Sequence, residues 1–95
     1  MVFKGNESAC GTNSKGDVIV TLEIFSEDGI NVEIESKVFA KYGESIKDSV
    51  IDVLTEFKIQ NANVKVEDFG ALDFVIRART EGAIKRNTFY KEEKI

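Results

Sequence analysis

The chain has 95 residues, 42% hydrophobic and 32% charged, with 13 Lys and Arg against 17 Asp and Glu for a formal charge of −4. That length suits one small domain with a single core, and no window approaches the roughly 20 apolar residues of a membrane span. The acidic balance disfavours general nucleic-acid binding, which rests on Lys and Arg neutralising phosphates; with no histidine and one cysteine, neither a Ser-His-Asp triad nor an ordinary Cys/His zinc site can be assembled.

The N-terminal MVFKGNESACG has neither the charged nor the apolar region of a signal peptide, and Cys10 has no second cysteine to pair with, so a soluble protein of the reducing cytoplasm is expected. Residues 4–17, KGNESACGTNSKGD, are rich in Gly, Ser and Asn and read as loop. From Val18 to Phe25 apolar and polar residues alternate at the period of a half-buried strand. Asp28-Gly29 then marks a tight turn, and Ile30, Val32 and Ile34 make a returning strand, so the two runs are expected to form a hairpin.

Ser36 reads as the N-cap of a helical segment that pauses at Gly43 and resumes from Glu44. Beyond that pause Ile46, Val50, Val53, Leu54 and Phe57 form an apolar stripe of helical period, with Lys47, Asp48, Asp52 and Glu56 facing away. Alternation returns at Ala62, Val64 and Val66. A turn at Phe69-Gly70-Ala71 leads into a further alternating run, Phe74, Ile76 and Ala78, read as a second hairpin. A short helix from about Thr80 to Asn87 and a frayed KEEKI tail complete the chain. The expected fold is a single α+β domain of order β-β-α-β-β-α, an antiparallel or mixed sheet backed by helices. Its parts are a flexible N-terminal loop (1–17), the folded domain (18–90) and the tail (91–95).

The charge is unevenly spread. From Arg77 onward Arg77, Arg79, Lys85, Arg86, Lys91 and Lys94 face three glutamates, a local charge of +3 that leaves −7 for residues 1–76. Such a basic end suits a phosphate or an acidic partner, or is simply a solvated face.

The turn Gly70-Ala71-Leu72-Asp73 after an acidic residue, followed by Ile76-Arg77-Ala78-Arg79, resembles the signature of the acyl carrier protein (gamma) subunit of citrate lyase. Gly11-Thr12 with a serine and Gly16-Asp17 agrees, as does Tyr42-Gly43 where the family usually has Phe-Gly; the resemblance runs from about residue 9 to 88. It implies a non-catalytic carrier holding 2'-(5''-phosphoribosyl)-3'-dephospho-CoA on a serine through a phosphodiester. It further implies acetyl and citryl thioesters on that arm, and as partners the lyase and acyl-transferase subunits and a prosthetic-group transferase, with no nucleic acid, membrane or metal.

The family's serine usually stands four residues after the first glycine of Gly-Thr and two before the aspartate. Here Ser14 is three from each of Gly11 and Asp17, and strict spacing puts Lys15 at the modified position. Either the loop has slid by one residue and Ser14 carries the arm, with Ser8 as the next candidate, or the chain is an unmodified carrier-like interaction domain. A carrier of a malonate decarboxylase-like complex is a related reading. Gly70 and Asp73 read as architecture, with Asp73 bonding the amides of its own turn. Where the family usually has Lys and Cys this chain has Phe69 and Phe74, pointing to an altered contact surface or a deeper core. Arg77 and Arg79, taken as exposed strand residues, are candidate contacts for a phosphate of the arm or a partner carboxylate. Cys10 in a loop is open to reaction, but with no histidine beside it a redox or catalytic role is not indicated.

Overall fold

The computed structural model describes residues 6–36 and 39–90. The expected frayed tail, residues 91–95, and the first five residues of the expected N-terminal loop lie outside these. Strands Glu7–Gly11 (β1), Val18–Ile24 (β2), Ile30–Ser36 (β3) and Ala62–Asp68 (β4) accompany helices Phe39–Glu56 (α1) and Asp73–Arg86 (α2). The strands form one sheet in the order β1-β2-β4-β3, with β3 parallel to β4 and the other pairs antiparallel. The α+β class and the mixed, helix-backed sheet are as expected; the element order is β-β-β-α-β-α.

Register explains why one sheet face is dry. Cys10, Val20, Val66 and Ile34 stand opposite one another across the four strands, as do Ser8, Leu22, Val64 and Val32. Because side chains alternate along a strand, these rows point to the same side. Val20, Leu22, Val64 and Val66 are fully or almost fully buried there, under α1 and α2. The α1 stripe meets them through Ile46, Val50, Val53 and Leu54, all buried, with Phe57 packed at the margin. The opposite rows, such as Thr21-Lys65-Glu33, face water, as one side of a largely antiparallel sheet commonly does.

Four local expectations are corrected. The expected first hairpin is split: β4 lies between β2 and β3, because the Phe25–Gly29 connection wraps the start of β4 instead of closing on itself. Phe25 N–H donates to the Asn61 carbonyl, Gly29 N–H to Asn61 Oδ1, and Ala62 N–H to the Gly29 carbonyl. The expected loop 4–17 contains β1, whose inward residues are Ser8 and Cys10. Helix α1 runs through the buried Gly43 without a pause. Ser36 ends β3, as expected, and donates its hydroxyl to Asp68 Oδ2 at 2.9 Å; the helix entry it was expected to cap, residues 37–38, lies outside the described residues.

The fourth correction concerns the second hairpin. Residues read as a strand through Phe74, Ile76 and Ala78 belong to α2, which begins at Asp73. A short alternating run fits either element, and the buried set decides it: Ile76, Thr80, Ala83 and Ile84 follow helical spacing, while Phe74 is 68% exposed. Gly82 lets α2 lie close on β1, since a Cβ there would stand 2.6 Å from Cys10 Sγ. Asp73 in the first turn and Lys85 and Arg86 in the last complement the helix dipole.

Candidate functional site

The connection between β1 and β2 begins at a residue that only glycine can fill. Gly11 has φ +121°, and a Cβ on it would stand 1.8 Å from the Val18 carbonyl oxygen. The two strands therefore close tightly and push Thr12–Asp17 out as a short loop. Thr12, Asn13, Ser14, Lys15 and Gly16 are exposed.

Asp17 organises this loop. Its Oδ2 accepts from Thr12 N–H at 3.1 Å and Thr12 Oγ1 at 2.6 Å, and its Oδ1 from Val18 N–H at 2.8 Å. Arg79 reaches over from α2 with its fork, Nε donating to Oδ1 at 3.0 Å and Nη2 to Oδ2 at 2.9 Å. The Asp17 side chain is only 13% exposed. Hydrogen bonds from Arg79 first, then from Thr12 and Val18, hold its carboxyl well below the usual carboxylate range. The loop is also tied to the turn after β4, with Gly16 N–H donating to the Phe69 carbonyl and Phe69 N–H to the Asp17 carbonyl.

Ser14 sits within this frame. Its N–H donates to Thr12 Oγ1 at 3.3 Å, and its carbonyl accepts from Asp17 N–H at 3.0 Å. No group among the described residues bonds its hydroxyl, which is exposed beside Lys15. Ser8 is different. It is buried on β1, and its hydroxyl donates to the Ala83 carbonyl at 2.6 Å and accepts from Asn87 Nδ2, so its oxygen is engaged and turned away from solvent. Cys10 is likewise buried rather than presented in a loop, with Arg79 Nη1 3.9 Å from its sulfur.

The glycine turn lies next to the loop. Gly70 has φ +94°, and the two amides that follow Phe69, those of Gly70 and Ala71, donate to Asp68 Oδ1. The role expected of Asp73 thus belongs to Asp68. Asp73 instead joins α1 to α2: it accepts from the Ser49 hydroxyl and from Arg77 Nε at 2.9 Å. Arg77 also pairs with Asp52 at 3.1 Å. Arg77 and Arg79 are therefore half-exposed helix residues paired with carboxylates of this chain. An open groove of about 770 Å³ separates the serine loop from the ends of β3 and β4, lined by Asn13, Lys15, Glu35, Glu67, Asp68 and Phe69 among others.

Comparison with known proteins places this geometry. A citrate lyase acyl carrier protein of Fusobacterium nucleatum subsp. nucleatum is 38% identical over 86 residues, 90% of each chain. The chain belongs to the citrate lyase acyl carrier protein family. A second member, the citrate lyase acyl carrier protein of Treponema denticola, is 39% identical over 80 residues, 84% of this chain and 90% of its own. The acyl carrier family model described as malonate decarboxylase delta subunit (MdcD) matches residues 6–87.

In this member of the citrate lyase acyl carrier protein family, the serine loop and the glycine turn, 50 or more residues apart in sequence, meet through the Gly16 and Phe69 backbones. The sequence does not announce the Asp17–Arg79 pair. Its partners are 62 residues apart, and only a helical reading of residues 73–86 would have turned Arg79 toward β1.

Proposed function

We propose that the chain is the non-catalytic acyl carrier subunit of a citrate lyase-like complex, with 2'-(5''-phosphoribosyl)-3'-dephospho-CoA attached covalently to Ser14. One observation carries the site: Ser14 has its backbone bonded on both sides and its hydroxyl exposed and unengaged. That is the state an acceptor for a transferase requires, a reachable oxygen on a loop held by a rigid scaffold. The donor set fits the group. Ser14 Oγ supplies the ester oxygen, and the neighbouring Lys15 ammonium offsets the charge of a phosphodiester. The carboxylates of Glu35, Glu67 and Asp68 along the adjacent groove disfavour a phosphate-bearing arm lying there, so the arm projects into solvent.

When attached, the group supplies a thiol for acetyl or citryl thioesters, and tethering makes each encounter with the lyase and acyl-transferase subunits effectively intramolecular. Arg77 and Arg79 are free for a partner carboxylate or a phosphate only by exchange with Asp73, Asp52 and Asp17. The compartment is read as cytoplasmic, and no helix among the described residues is long and apolar enough to cross a membrane.

Intact mass of the protein from its native host tests the reading: one arm mass is expected on the wild type and none on Ser14→Ala. An unmodified wild type, beside a transferase active on another carrier, would overturn it. The second reading, an unmodified interaction domain, draws on Lys15 at the strict spacing and on Leu72 and Phe74, 65% and 68% exposed at the start of α2. A malonate decarboxylase-like carrier is favoured only by the description of the family model, and reconstitution with either set of partner subunits separates the two acids.

A further inference from the structure

We propose that Asp17 and Arg79 are positioning residues for the modification of Ser14, holding the loop in the one arrangement that the arm-attaching transferase accepts; this rests on Ser14 being the attachment residue. The contacts form a continuous chain from the helix to the serine. Arg79, anchored on α2, grips both oxygens of Asp17. Asp17 in turn accepts from both donors of Thr12, and Thr12 Oγ1 accepts from the Ser14 amide. On the other side the Asp17 amide donates to the Ser14 carbonyl. The amide and carbonyl of Ser14 are thus held, through Thr12 and Asp17, by a residue on another element.

The pair is bidentate and its carboxylate is 13% exposed, so it fixes an orientation as well as contributing to stability. Orientation is where a bidentate fork differs from a point charge. The attachment step forms a bond between Ser14 Oγ and the phosphorus of an activated arm donor. It breaks the bond from that phosphorus to the donor's polyphosphate leaving group, and the hydroxyl proton passes to the transferase. The carrier's share is geometric. A loop that spends only a fraction of its time in the accepted arrangement raises the apparent KM by the inverse of that fraction and leaves kcat at saturation unchanged.

The test uses the full chain, a cognate transferase and its activated donor, with labelling followed by intact mass and loop order by amide exchange at Thr12 and Val18. Arg79→Lys keeps the charge and loses the fork, and Asp17→Asn serves if that variant folds poorly. Lys85→Gln, which removes the Lys85–Glu81 pair on the same helix, is the control. The expected result for Arg79→Lys is a KM raised about tenfold with kcat near wild type and faster exchange at both amides, while Lys85→Gln is unchanged. Labelling of wild type that Ser14→Ala abolishes, with Arg79→Lys and Asp17→Asn at wild-type KM, overturns this proposal alone. No labelling of wild type by an active transferase overturns the attachment reading and this proposal with it.

Discussion

Two of the glycine-bearing connections, Thr12–Asp17 and Phe25–Gly29, are held by different physics. The second is fastened by an amide: Asn61 accepts from Gly29 N–H at 2.8 Å and donates to the Ser26 carbonyl at 3.3 Å. The first is fastened by a charge, with Arg79 and Asp17 joined across the sheet edge. Neutral hydrogen bonds fix a shape and do not titrate in the acid range, whereas a carboxylate–guanidinium pair also fixes an orientation and responds to acid. The connection carrying Ser14 is the one anchored by the oriented pair.

Glycine substitutions give the largest contrast. Gly11 and Gly29 both have positive φ, but a Cβ on Gly11 meets the Val18 carbonyl whereas around Gly29 there is open space. Gly11→Ala should destabilise by about 3 kcal/mol or more, combining strain with a backbone clash, and Gly29→Ala by about 1–2 kcal/mol from conformation alone. Equal losses in denaturant titrations would remove the distinction between a closed and an open connection. Asn61→Ala should cost about 1 kcal/mol through its lost hydrogen bonds, with the same difference from wild type at pH 7 and pH 4.

Acid should separate the two connections further. The folded-state carboxyl of Asp17 lies below its usual value, so its contribution is present above the unfolded pKa of about 3.9. It is lost as pH falls through the depressed folded value. Wild type should therefore exceed Asp17→Asn in unfolding free energy at pH 6, and the two curves should draw together toward pH 2. Asp73, also lowered, by Ser49 first and then Arg77, leaves a residual acid dependence in the variant. Curves that stay parallel to pH 2 would show that the pair does not hold the loop.

How much was legible follows from which forces leave a local trace. Strands β2, β3 and β4 and the α1 stripe are written as alternation and helical period, because each buries its own apolar face. Strand β1 is not, since its inward residues are Ser8 and Cys10, and a serine becomes a core residue only when the Ala83 carbonyl is there to accept from it. The start of α2 was hidden because Phe74, Ile76 and Ala78 alternate by coincidence while the buried face skips to Thr80 and Ala83. The place of β4 between β2 and β3 depends on Asn61, more than thirty residues from the turn it fills. At the site, Ser14 could be picked out by its position between Gly11-Thr12 and Gly16-Asp17. Arg79 could be named but not placed, because a pairing between distant residues has no spacing to read.

Localising the added mass within one peptide decides whether Ser14 or a neighbouring hydroxyl carries the arm. Protein isolated with its cognate transferase is cleaved after Lys4 and Lys15, and the peptide GNESACGTNSK is fragmented to place the added mass. The added mass is expected between Asn13 and Lys15, with Ser8 and Thr12 unmodified. An arm found on Thr12 or Ser8, or a peptide of unmodified mass from a host whose transferase is active, would contradict it.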